Sequence, residues 1–295
     1  MKEVEKMKIN DRTKGIVCIL AAAFGFALMT IFVRLSGDLP TMQKAFFRNF
    51  VAMFIAIAAL LKSGQGFIVE KGNRFDVFMR CLFGTSGLIA NFYAIDRIGL
   101  ADANMLNKLS PFFAIILSIP LLKEVPGKVD IIATIIAFIG ALFIVRPTGM
   151  LTETIPALIG LYGGFGAGTA YVFVRRLGKK NVKTPIIVFY FSLFSCLVTL
   201  PMLILEFKPM TVSQTLCLLM AGAAASLGQF GITTAYKFAP AKEISVFDYT
   251  QVVFAAVLAI FIFEELPEVL SIIGYVIIIG VAVFRWHRNK MLTEQ

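Results

Sequence analysis

Asn104, Asn107, Lys108 and Pro111 follow the i, i+3, i+4, i+7 spacing that places side chains on one face of a helix. Ser245, Asp248 and Tyr249 repeat that stripe later in the chain with the same internal spacing. Both stripes lie in otherwise apolar stretches, where an unpaired charge costs on the order of 2.5 to 3.5 kcal/mol if the stretch sits in lipid. The chemistry on offer is recognition. Amides and hydroxyls would hydrogen-bond a small solute, Lys108 with Asn107 would orient its polar or anionic part, and Asp248 would balance Lys108 or take a proton. A second reading stands beside the first: Lys108 and Asp248 form a buried ion pair that orients two helices and never meets a solute. Asn91, Gln229, Thr233 and Tyr236 join the polar set if their helices turn them inward. Arg48 is a third charge at depth, either a solute contact or a side chain snorkelling to the nearby interface.

Other residues read as elements of closure or capping. Glu124 and Glu265 each precede an x-Pro step at a helix end, as a matched pair of gates or as plain helix terminators paired with neighbouring bases. Asp102 and Glu243 stand at the starts of two helices, where a carboxylate complements the helix dipole, with proton coupling as their alternative role. Catalysis has no comparable constellation. Cys18, Cys81, Cys196 and Cys217 form no CxxC or Cys/His spacing, and His287 in the basic C-terminal tail is the one histidine, so no metal, cofactor or nucleophile–base pair is expected. The run from Gly163 to Gly168 lacks the Lys-Ser/Thr of a phosphate-binding loop and reads as close helix packing.

The elements that carry these residues are set by a duplication. An offset of 141 places Phe24-Gly25 on Phe165-Gly166, Phe32-Val33-Arg34 on Phe173-Val174-Arg175, and Glu124-Val125-Pro126 on Glu265-Leu266-Pro267. The two polar stripes correspond under the same offset. With 58% hydrophobic residues and 16% charged, a 32.4 kDa chain has too little polar surface for a soluble globule. Apolar runs separated by Gly and Pro give an all-α membrane protein of ten helices, over 15–35, 43–61, 76–95, 102–122, 128–146, 154–176, 184–205, 213–236, 243–263 and 268–286. The run from Gly15 is longer than a signal-peptide core and reads as a retained helix.

Five helices per copy, in halves 1–149 and 150–295, force the copies into opposite orientations, the architecture of a secondary transporter. Lysine and arginine test the count, because basic loops stay cytoplasmic. Arg34, Lys44, Arg97, Arg146 and Lys208 fall on one side, whereas the tail residues, Lys62, Lys71, Arg74, Arg80 and almost all the others fall with the N-terminus. Both termini are therefore placed in the cytoplasm of a plasma-membrane protein. The net charge of +10 reports this loop bias, and no nucleic-acid partner is expected; the partners are the bilayer, a small-molecule substrate and protons.

Each half resembles the five-helix unit of the EamA type within the drug/metabolite transporter superfamily. The resemblance spans nearly the whole chain and is carried by Phe92-Tyr93-Ala94-Ile95, Leu109-Ser110-Pro111 and Lys123-Glu124-Val125-Pro126. Arg48 also matches a common feature of the family, with Phe189 as its counterpart in the second copy. That copy keeps Glu265-Leu266-Pro267 but has Val252 at the position of Pro111. The resemblance implies export or exchange of small organic metabolites through a central cavity lined by the first, third, fourth, sixth, eighth and ninth helices, and leaves the substrate open. An intramembrane enzyme and a non-transporting structural protein are the competing readings; the latter has little use for two related polar stripes at bilayer depth.

Overall fold

A computed structural model describes residues 2–64, 66–98, 100–145, 154–264 and 269–294, apart from the side chains of 2–10, 96, 100–102, 145 and 289–294. Glu265 and its Leu-Pro step lie outside the described residues. Among the described residues there are twelve α-helices and no strand: α1 (Lys2–Leu35), α2 (Thr41–Lys62), α3 (Arg74–Ile98), α4 (Leu100–Asn107), α5 (Ser110–Leu122), α6 (Lys128–Val145), α7 (Thr154–Lys179), α8 (Thr184–Glu206), α9 (Val212–Phe238), α10 (Ala241–Asp248), α11 (Thr250–Phe263) and α12 (Val269–Glu294). Among the described residues eight spans are long and apolar enough to cross a membrane, taking α4 with α5 and α10 with α11. The other two of the ten expected helices form as α3 and α6. The first carries Arg74, Asp76, Arg80 and Arg97, and the second is only 18 residues long. Large apolar side chains cover the exterior, with Leu205 83% and Phe261 80% exposed, a distribution suited to lipid.

Three expectations about the elements change. The fourth and ninth helices are not continuous but break at Lys108–Leu109 and at Tyr249, positions that correspond under the 141 offset. The charged N-terminal segment is part of α1, which begins at Lys2. Arg80 is not a loop cation: it lies on α3 and is 3% exposed.

The packing follows the repeat. α1 lies along α9 and α3 along α7, while α2 pairs with α8, α6 with α12, α5 with α7 and α1 with α11. Each pairing joins one half of the chain to the other. Glycine makes the tightest approaches possible: a Cβ on Gly25 would stand 2.7 Å from Gly228 N, and one on Gly166 would stand 2.8 Å from Gly87 Cα. These two contacts are one contact seen twice, since Gly25 corresponds to Gly166 and Gly87 to Gly228. Gly166→Val is expected to lower stability by about 2 kcal/mol through overpacking, read as a fall in Tm of the purified protein in detergent. Gly280→Val, where nothing lies within 4 Å, should leave Tm unchanged.

Candidate functional site

The two helix breaks have different local causes. Pro111 has no N–H to return to the Asn107 carbonyl, so α4 ends there and Leu109 N–H tightens instead onto Leu106 O at 3.2 Å. No proline stands at the second break. There the Thr250 hydroxyl donates to Phe247 O at 2.6 Å, and Val252 N–H donates to Tyr249 O at 3.1 Å. The Phe247 carbonyl, which also takes the Tyr249 N–H, thus receives a side-chain hydroxyl in place of the regular next-turn donor.

The breaks meet. Tyr249 donates its hydroxyl to the backbone carbonyl of Lys108 at 3.0 Å, so two residues equivalent under the repeat touch. The Lys108 ammonium donates to Gln251 Oε1 at 2.7 Å, and to Asp248 Oδ2 and Asp248 O at 3.4 Å each. All three of its protons have acceptors. Lys108 therefore neutralises the Asp248 carboxylate and also sits at the carbonyl end of α10, where a cation is favoured.

Above this junction lies a cavity of about 440 Å³. Asn91, Asn104, Asn107, Gln229 and Arg48 line it, as does Gln251, which links it to Lys108. Thr233, Tyr236, Ser245 and Tyr249 do not reach the cavity; they are buried in the packing of α9, α10 and α11. Tyr236 is one ring behind the wall, stacked at 4.9 Å on Tyr171, which does line it. Arg48 is 9% exposed and faces inward rather than toward the interface. Arg80, which counting basic residues by loop had placed outside the bundle, also lines the cavity. It donates to Gln229 Oε1 at 3.1 Å and lies 4.0 Å from the centroid of the Phe191 ring. The signal for it was present: the apolar span 76–95 already contained residue 80.

The cavity extends to Val33, Arg34, Thr41 and Lys44 at the far end of α1 and the start of α2. The opposite face is tied shut. Glu124 accepts from Arg175 at 3.0 Å and from Lys179 at 2.7 Å, and Arg175 also donates to Lys237 O at 2.9 Å. Asp76 pairs with Arg176 at 3.3 Å and Lys180 at 2.7 Å. Glu243 takes a two-pronged contact from Arg12, at 2.6 and 2.9 Å, so it belongs to this network rather than being a simple cap. The Asp102 side chain lies outside the described residues. Among those described, no group of three or more His, Cys, Asp and Glu is placed to hold a metal ion.

A helical bundle whose exterior suits lipid, with a cavity lined by polar and aromatic side chains that reaches one face while ion pairs tie the other, has the architecture expected of a solute transporter. The EamA-like transporter family matches residues 13–146 and again 154–285, and the chain belongs to that family. The pseudopaline exporter CntI of Pseudomonas aeruginosa is 31% identical over 286 residues, which is 96% of this chain and 99% of the exporter. Solute carrier family 35 member G1 of Homo sapiens is 26% identical over 295 residues, spanning 94% of this chain and 80% of the carrier. The fold is shared with a solved crystal structure at a TM-score of 0.83 and 17% identity, covering 95% of this chain and 99% of that one. The chain is thus a multi-pass membrane protein of a transporter family, and the enzyme reading falls with that assignment.

Proposed function

We propose that the protein moves a small organic solute across the plasma membrane by alternating access between two inverted five-helix halves, 1–149 and 150–295, with ten crossings and both termini in the cytoplasm. The two separate family matches support the division. So does the latched face, which gathers Arg12 near the start of α1 and Arg175 near the end of α7. Those two helices are equivalent under the repeat, yet one enters and the other leaves through the same face. Export, the activity named for the Pseudomonas relative, is the direction this reading favours.

The observation that carries the proposal is what the offset does to the cavity lining. Phe92, Ile95, Asn104 and Asn107 line the open cavity; their equivalents are Thr233, Tyr236, Ser245 and Asp248, all buried beneath it. Exchanging the conformations of the two halves would close the first set and expose the second, giving a cavity open to the opposite side around the same junction. The Thr233 hydroxyl, buried without a partner here, would gain water or solute in that state. On this reading the structure is outward-open, and the polar residues of α9 and α10 belong to the other half of the cycle.

Topology is the direct test. Cysteines replacing Lys71 and Lys180 should react with an impermeant thiol reagent only from the cytoplasmic side, and those replacing Asp38 and Lys208 only from outside. Labelling of positions 180 and 208 from one face would remove the inverted arrangement and alternating access with it.

A further inference from the structure

The cavity carries charge of one sign. Arg48 and Arg80 are 9% and 3% exposed and share its wall. Among the described residues Arg48 makes no hydrogen bond and no ion pair, and its Nε is buried without a partner. Arg80 has one neutral acceptor, Gln229, and a ring face, and its Nε is likewise unpartnered. No carboxylate occurs among the described lining residues. Asp248, the acid just below the cavity floor, is already engaged by Lys108. Arg34 and Lys44 stand at the mouth with partners of their own, among them the Phe263 ring and Gly37 O.

Two buried guanidinium groups without a carboxylate are an arrangement that folding alone disfavours, because each ion loses hydration and each repels the other. The bundle nevertheless makes room for them. Gly84, one turn beyond Arg80 on α3, has no side chain, and a Cβ there would collide with the Arg80 guanidinium. We propose that the missing charge is the solute: an organic anion whose oxyanion head is clamped by Arg48 and Arg80 and whose apolar body lies against Phe26, Phe92, Phe191 and Tyr171. A guanidinium presents a planar fork of donors that matches a carboxylate or a phosphate in two-pronged fashion. Asn91, whose Oδ1 is buried without a partner, would accept from a donor carried on the solute beside that apolar body. The proposal rests on the transport reading, since it assigns the cargo of that same cavity.

The test begins with the empty protein. If the Arg48 charge is uncompensated until solute arrives, Arg48→Met should raise Tm of the purified protein in detergent; a structural role predicts a fall. Added probes then read the site. 3-Phenylpropionate or phenyl phosphate should raise Tm of the wild type, because a ligand that binds only the folded state stabilises it, whereas 3-phenylpropionamide and phenethylammonium should not. Arg48→Met should abolish the response. Arg48→Lys, which keeps the charge and loses the fork, should weaken apparent affinity at least about tenfold. The two organic anions separate a carboxylate head from a phosphate head, and either response supports the clamp. A fall in Tm for Arg48→Met, an equal response to the amide or the ammonium probe, a response to sulfate and chloride only, or no response to either organic anion would overturn it. Counterflow in liposomes separates this from the reading beneath it: exchange of neutral or cationic solutes would leave a transporter without an anion clamp, whereas absence of exchange for solutes of every charge would remove the transporter itself.

Discussion

Glu124→Gln is expected to release the latched face and move the resting protein toward a state open to the cytoplasm. One carboxylate oxygen holds both Arg175 and Lys179, and the Glu124 side chain is 11% exposed, so these pairs are screened far less than surface ones. Arg175 passes the tie to the carbonyls of Tyr236 and Lys237 at the end of α9. Replacing the charge by a neutral amide removes attraction to two cations without changing shape. A loss of about 2 kcal/mol specific to the closed face would change the ratio of the two states by roughly thirtyfold. Two reporter cysteines, in a background lacking the four native ones, read the shift. Ala167→Cys lines the open cavity and should lose reactivity toward an impermeant reagent added outside. Ser245→Cys, at a position fully buried in the resting state, should become reactive from the cytoplasmic side. Glu265→Gln, at the equivalent junction of the other half, should shift the two reporters in the opposite sense. Identical labelling in the two variants would leave Glu124 a helix terminator and nothing more. Lys123 and Glu264 make the matched geometry plain: both end their helices in the left-handed conformation, at φ 58° and 56°.

The family and the positions of the helical elements were legible in the sequence because apolar runs and their Gly and Pro breakers report directly on span and turn. Detail within the elements was legible only where a residue type forces it. Pro111 announces a break in the fourth helix; the matching break in the ninth has no proline, only the Thr250 hydroxyl bonded to Phe247 O, and a threonine in an apolar stretch does not signal one. Rotation was harder still. Gln229, Thr233 and Tyr236 share one helical face by spacing, yet the first lines the cavity and the other two lie below its floor. Period fixes the face of a helix and not the depth at which a cavity ends. Arg80 was misplaced for a related reason, since counting basic residues by loop moved a cation near a helix start to the outside. Its burial depends on Gly84, Gln229 and Phe191, and two of these come from the other half of the chain.

Lys108 and Asp248 can be separated as solute site and as structural pair, because the contacts predict unequal single-mutant costs. Lys108→Met removes the ion-pair partner that Asp248 has among the described residues and leaves a carboxylate 7% exposed, a loss of roughly 3 to 5 kcal/mol. Asp248→Asn should cost less, about 1 kcal/mol, since the ammonium keeps Gln251 at 2.7 Å and the backbone carbonyl of residue 248. The double variant Lys108→Met with Asp248→Asn should recover most of the first loss, the coupling expected of residues in contact. Transport then decides the role. A folded double variant that neither binds nor exchanges solute assigns the pair to the cargo or to its coupling, and one that transports at the wild-type rate assigns it to helix orientation alone. The proton question follows from Asp248→Asn by itself. If this carboxylate carries the coupling proton in the inward-open state, the variant should lose accumulation driven by a pH gradient and keep exchange at equal pH, because exchange needs the cavity and not the titration. Retained accumulation would move coupling to another carboxylate. Asp102 is then the residue to test first, since Glu243 is held by Arg12 in the latched face and would report on closure as much as on protons.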